Sequence, residues 1–223
     1  MTITLDTPVG HIAAQHPLAT RVFARHGIDF CCGGGRPLAE ACAAKGLEPV
    51  VVIDDIEREL GDAPGPTTAW DTAPLDDLID HIVSTFHEGL REELPRLAAM
   101  LEKVHRVHGD KDPERLGALL EVFRGLQAEL TDHMMKEERI LFPMIERGEG
   151  NRADGPVSAM EHEHASAGDA LRHIRMLTDD YTPRDDACNT WRALWAGLEQ
   201  LELDLHQHIH LENNILFPRA LAG

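Results

Sequence analysis

From residue 74 onward, apolar residues recur at the three- and four-residue spacing of amphipathic helices, in four long runs. Helix A opens after Pro74, with Asp76 and Asp77 near its positive end, and runs to about His108. Gly109 to Pro113 forms a turn, and Asp112 suits the N-cap of helix B, which runs to about Arg147. Residues 148–156 form a loop and helix C covers 157–179. Pro183, with Asp185 and Asp186, opens helix D, which ends near Pro218. Short connections between long helices predict an up-down-up-down bundle. Ahead of it, the Pro/Gly/Thr stretch Gly61 to Trp70 cannot continue a helix. Shorter helical patterns lie at about residues 8–26, 37–46 and 53–60, split by Gly33, Gly34 and Gly35. The expected fold is therefore all-α: a small helical N-terminal domain (1–60), a linker (61–73) and a four-helix bundle (74–223). So short a first domain buries little apolar surface, which suggests that it leans on the bundle or on a second copy in a homodimer.

Within these runs one pattern occurs twice. His133-Met-Met-Lys-Glu137-Glu-Arg-Ile140-Leu-Phe-Pro143 returns as His208-Ile-His-Leu-Glu212-Asn-Asn-Ile215-Leu-Phe-Pro218. Both copies read HxxxExxILFP, so each places a histidine and a glutamate about one turn apart on one helix face. At about 100° per residue, Leu119, Leu126, Leu130, Ile140 and Met144 fall within roughly 60° of His133. Leu194, Leu201, Leu205 and Ile215 do the same around His208. Both pairs thus point into the core, where a carboxylate is paired or metal-bound. His87 in helix A and His164 in helix C sit near helix starts, which an antiparallel bundle sets beside the ends of B and D. His87, His133, Glu137, His164, His208 and Glu212 can then meet in one layer, as a duplicated hairpin with one His on its first helix and HxxxE on its second.

A lone core-facing histidine is ordinarily a hydrogen-bonded packing residue. Six convergent groups are better explained as metal ligands. Four imidazoles and two carboxylates make a mixed N/O site, unlike thiolate zinc sites or all-oxygen calcium sites. Two bridging glutamates would give each of two metals a ligand set suited to iron or manganese. His206 and His210 lie about 160° from His208, and His162, His173 and His105 are likewise displaced from the layer or its face. His81 and His108 suit surface positions or supporting contacts. Glu129, one turn before His133, and Glu163, beside His164, could orient ligands or relay protons.

Composition narrows the partners. A formal charge of −18, from 39 acidic and 21 basic residues, repels nucleic acid and anionic membranes. Six Phe, three Trp and one Tyr offer few stacking platforms. No apolar stretch approaches the ~20 residues of a membrane span and no secretory leader is evident, so a cytoplasmic protein is expected. Its cysteines do not resemble a disulfide framework. Cys31 and Cys32 are adjacent, which would strain a disulfide between them. With the following glycines they read as accessible thiols for iron transfer or redox exchange, with His26 or another chain as a further ligand. Cys42 and Cys188 read as packing residues.

Asp29-Phe-Cys-Cys-Gly-Gly34 in a short N-terminal domain, followed by a bundle carrying HMMKEERILFPMI and HIHLENNILFPRALAG, strongly resembles the hemerythrin-like di-iron proteins of iron–sulfur cluster repair (repair of iron centres, ScdA/YtfE type). The resemblance covers nearly the whole chain, and by motif it selects the same six ligands. It implies a non-haem centre of two iron ions bridged by oxo or hydroxo and carboxylate groups. It further implies repair of clusters damaged by nitrosative or oxidative stress, by supplying iron to damaged iron–sulfur proteins. Reduction would loosen the hold of the carboxylates on iron. Two alternatives remain: an enzyme reducing nitric oxide to nitrous oxide, or an oxygen or nitric oxide sensor. With no flavin or nicotinamide motif, electrons must come from an outside, unidentified donor.

Overall fold

The computed structural model describes residues 3–61 and 69–223; residues 62–68 of the expected linker lie outside the described residues. The chain is all-α. Its helices are α1 (Val9–Gln15), α2 (Ala19–Arg25), α3 (Leu38–Ala43), α4 (Pro49–Gly61), α5 (Leu75–Ile82), α6 (Glu88–His108), α7 (Pro113–Lys136), α8 (Phe142–Glu146), α9 (Asp154–Leu177), α10 (Asn189–Leu211) and α11 (Phe217–Ala222). Wide π-turns at Val83–His87, Glu137–Leu141 and Glu212–Leu216 join α5 to α6, α7 to α8 and α10 to α11. No strand occurs among the described residues; Pro8 and Pro37 form an isolated antiparallel bridge.

The chain divides into two compact units, one of Met1–Asp80, Ile145–Asp154 and His206–Gly223, the other of His81–Met144 and Gly155–Leu205. In the second, Leu97 and Leu101 of α6, Leu119 and Phe123 of α7, Leu171 and Ile174 of α9, and Leu194 and Leu198 of α10 form one core. Their spacing of three, four and seven residues is the stripe read from the sequence. In the first unit, Val9, Ile12, Phe23, Phe30, Leu38, Cys42, Val52 and Ile56 bury together, so the N-terminal segment has a core of its own. Pro17 splits the helix expected over residues 8–26 into α1 and α2, and His16 between them leaves helical geometry.

Two other expectations change. Helix D starts at Asn189 rather than at Pro183. The chain leaves α9 through three successive left-handed residues, Asp179, Asp180 and Tyr181 (φ 53°, 54° and 56°). The Arg192 guanidinium then donates to the carbonyls of Ala187 (3.1 Å), Asp185 (2.8 Å) and Arg184 (3.3 Å), which holds residues 184–187 out of a helix. Ile140, expected in the core, is 53% exposed. The π-turn explains it: the Phe142 N–H bonds Glu137 O, five residues back, so each following side chain is rotated from its α-helical place. Leu141, Phe142 and Ile145 are buried instead. Pro143 supplies the cause, because its ring carries no N–H and collides with the carbonyl four residues earlier. Phe217 bonds Glu212 O in the same way beside Pro218. The turn at Val83–His87 is alike but has no such proline, and nothing in the sequence explains it.

Candidate metal centre

Each π-turn carries a predicted ligand: His87 ends the first, Glu137 begins the second and Glu212 begins the third. Such turns insert a residue into a helix and recur at functional sites. All six predicted ligands are at most 3% exposed.

Within the second unit, His87 Nε2 lies 3.4 Å and His133 Nε2 3.3 Å from Glu137 Oε2. His164 Nε2 lies 3.0 Å from His133 Nε2. The opposite ring nitrogens are anchored: His87 Nδ1 is 2.7 Å from Glu138 Oε1, and His133 Nδ1 is 3.0 Å from Glu163 Oε2. Arg91 also bonds Glu138, and Lys136 bonds Glu163. Burial pushes the Glu138 carboxyl up, but His87 and Arg91 outweigh it and hold the group below its ordinary value. At Glu163, Lys136 and His133 likewise outweigh burial.

A charged carboxylate only accepts hydrogen bonds, so both Nδ1 atoms carry the proton and donate it. In the neutral rings, both Nε2 lone pairs then face Glu137, and that of His133 also faces His164. At such distances a proton or a cation has to lie between these electron-rich atoms. The same carboxylate–histidine pairing occurs around bound metals, where the outer carboxylate fixes the tautomer and raises ligand basicity. In the first unit His208 Nε2 lies 3.0 Å from Glu212 Oε1. Within the second unit, ligand-type atoms of His133, Glu137 and His164 all lie within 4.8 Å of one another, and so do those of His87 and Glu137. Imidazole and carboxylate donors without thiolate suit a divalent transition metal, so the donor set fits such a cation.

The two glutamates proposed to orient ligands or relay protons lie in different surroundings. Glu163 meets His133, while Glu129 is exposed and accepts from Ser166 (3.1 Å). Glu138 was missed, although it directly follows the candidate ligand Glu137. His81 Nδ1 bonds Thr85 (3.1 Å), and His108 Nε2 bonds Cys188 (3.3 Å). Cys188 is exposed rather than packed, whereas Cys42 is buried.

The cysteine turn belongs to the first unit. Asp29 Oδ1 accepts from Gly33 N–H (3.0 Å), Cys31 N–H (3.2 Å) and the Cys31 thiol (3.3 Å). Cys31 Sγ stands 3.9 Å from Cys32 Sγ, and no disulfide joins them. The pair is not evenly accessible: Cys31 is buried and Cys32 half-buried. Its hydrogen bond with Cys32, then burial and the nearby negative charges, push the Cys31 thiol well above its ordinary value. His26 pairs with Asp55 (2.8 Å). Phe30 packs edge-on to the rings of His206 and His210, the two histidines set aside by angle. Burial, only partly offset by the Phe30 and Ala13 carbonyls, pushes His210 down to about 4, so it is a neutral packing residue.

Residues 78–220 match the family model of the hemerythrin HHE cation binding domain, and residues 5–60 match a domain of unknown function (DUF542). The chain is 49% identical over 220 residues to the iron–sulfur cluster repair protein YtfE of Musicola paradisiaca, spanning 98% of this chain and 97% of that one. It is 49% identical to YtfE of Edwardsiella ictaluri, over 97% of both chains. It is 47% identical to YtfE of Escherichia coli, over 98% of both. With a cation-binding domain across the ligand-bearing helices and such relatives over nearly their whole length, the chain belongs to the family of iron–sulfur cluster repair proteins that carry a hemerythrin HHE domain.

Proposed function

We propose that the chain holds two iron ions between His87, His133, Glu137, His164, His208 and Glu212, and supplies iron to iron–sulfur clusters damaged by nitrosative or oxidative stress. The observation that carries the reading is the anchored tautomers: Glu138 and Glu163 turn two buried imidazole lone pairs toward Glu137, a geometry with no use in apolar packing. Glu137 and Glu212 would bridge the ions and the histidines would cap them. Iron is the cargo, and its ferrous form is held less tightly by carboxylates than its ferric form. Glu163, bonded to His133 and Lys136, and Glu129 would relay protons as iron leaves. Cys31 and Cys32 would serve in transfer or redox exchange.

The reading includes a domain division at 1–60, 61–73 and 74–223, which the two family matches support. It includes an outside electron donor, a homodimer, and action in the cytoplasm, where four free thiols persist. No described helix is long and apolar enough to cross a membrane.

The test is anaerobic transfer from iron-loaded protein to an iron–sulfur enzyme inactivated by nitric oxide or peroxide, beside the Glu137→Ala/Glu212→Ala variant. Recovery of the enzyme matched by iron lost from the wild type, and absent in the variant, supports donation. Nitrous oxide formed from nitric oxide and a reductant without loss of iron would replace donation by turnover. Reversible gas binding with neither result would make the protein a sensor.

A further inference from the structure

The two copies of the repeat agree at the ligands and differ just after them. Arg139 and Ile140 of the first copy are exposed. Their counterparts Asn214 and Ile215 are half-buried and buried, and α1 packs against the turn Glu212–Leu216 that carries them. Asn214 Nδ2 donates to the carbonyls of Phe30 (3.2 Å) and Cys31 (3.2 Å), and lies 3.2 Å from His210 Nδ1. Two glycines make room for the amide. A Cβ on Gly10 or on Gly34 would fall 2.2 Å from Asn214 Oδ1. The same two glycines are joined by a Gly10 N–H to Gly34 carbonyl bond of 2.8 Å. A side chain that fills a glycine-lined slot and bonds two successive carbonyls is held by shape as well as by hydrogen bonds.

We propose that Asn214 is a positioning residue that latches the Phe30–Cys31 backbone to the helix turn beginning at Glu212, so that Cys31 stays buried while that turn is ordered and becomes reactive when it loosens. The inference rests on the assignment of Glu212 as a metal ligand. A cation on Glu212 orders the turn, and by linkage the same cation protects Cys31. The thiol is thereby exposed as the metal is given up, which times the cysteine pair to the departure of iron.

The test is the rate of Cys31 alkylation under anaerobic conditions, read by mass spectrometry at one pH, in metal-free protein and after loading with ferrous ion alone. Wild-type labelling should slow several-fold on loading. Asn214→Ala should speed labelling of the metal-free protein about tenfold, as loss of one or two hydrogen bonds implies, and should abolish the effect of loading. Gly10→Ala, whose Cβ displaces the amide, should act likewise and add nothing in the Asn214→Ala background. It also keeps the test decisive if Asn214→Ala loses helix by circular dichroism. Labelling unchanged within twofold in both variants, additive effects of the two, or protection by metal that persists in Asn214→Ala would each overturn the latch. Failure of iron donation with the labelling pattern intact would overturn the repair reading and leave the latch standing.

Discussion

Replacing Glu138 or Glu163 removes the group that fixes a ligand tautomer, while the ligand itself stays. Loss of such a carboxylate typically weakens metal binding about 10–100-fold. Two features of the structure place the Gln variants just below that range. Glutamine keeps an acceptor oxygen but not the charge, and a charged hydrogen bond exceeds a neutral one by about 1 kcal/mol. Both side chains are also partly solvated, at 28% and 31% exposure, which screens the charge further. At ~1.4 kcal/mol per factor of ten, Glu138→Gln and Glu163→Gln should each weaken ferrous or cobaltous binding about fivefold. The Ala variants also leave a buried imidazole N–H without its acceptor, and should reach tens of fold with a loss of about 1–3 kcal/mol in metal-free stability. Glu138 acts on His87 and Glu163 on His133, so the double Gln variant should lose about 25-fold if the effects multiply. Anaerobic competition against a chromophoric chelator measures all of these, with thermal melting of the metal-free proteins alongside. Glu129→Gln is the control, because its carboxylate meets Ser166, and it should leave binding unchanged. Binding within twofold of wild type in all four single variants, or a loss in the control equal to theirs, would refute the tautomer argument.

Two further outcomes test the frame around the site. Glu202 is almost fully buried and accepts from Arg175 at 2.6 and 3.1 Å, so Arg175→Met should cost about 3 kcal/mol and lower the melting temperature by roughly 6–12 °C, with most of the loss regained in Arg175→Met/Glu202→Leu. Burial raises the Asp29 carboxyl, but the Gly33 N–H and the Cys31 thiol and N–H outweigh it and hold the group below its ordinary value. Its stabilising contribution is then complete above the ordinary carboxylate pKa of about 4 and is lost as pH falls through the lowered value. Thermal melts from about pH 6 down to 2 should therefore converge for wild type and Asp29→Asn at the acid end, with the wild type ahead at neutral pH.

The helices and the burial of the six candidate ligands were legible because they rest on local rules. Helical periodicity and a repeated HxxxExxILFP pattern identify which faces are buried, and a carboxylate on such a face calls for a cation. What escaped the sequence depends on backbone departures from the ideal helix. The 100° rule carried Ile140 into the core because it assumes an unbroken α-helix, and the wide turn at Glu137–Leu141 breaks it. Pro143 and Pro218 were visible, but as helix ends rather than as causes of a turn within a continuing helix. Helix D was misplaced at its start because the Arg192 bonds to the carbonyls of residues 184–187 are tertiary and leave no periodic trace. Buried Cys31 escaped for a related reason: glycines free the backbone to turn, but the Asp29 carboxylate and the Asn214 amide decide what that turn exposes.

The Ile-Leu-Phe-Pro tails have a physical task in each copy. A straight α-helix would set Glu137 and the apolar residues after it on a fixed stripe, with no freedom to aim the carboxylate separately from the packing face. The proline forbids the next ordinary bond, the turn widens, and the glutamate sits at its first position while the following residues re-enter the core on a new face. That gain is independent of what lies outside the turn. Hence the two copies are alike at His, Glu and Pro, where the proposed metal ligands and their turns are, and differ at Glu138-Arg139 against Asn213-Asn214, where the outer contacts are. In one copy the residue after the glutamate anchors His87, and in the other the second residue grips the cysteine turn. Substitutions in the tails should accordingly separate into two kinds: at the prolines they disturb both metal geometry and packing, whereas at the intervening pairs they change only the partner that each half addresses.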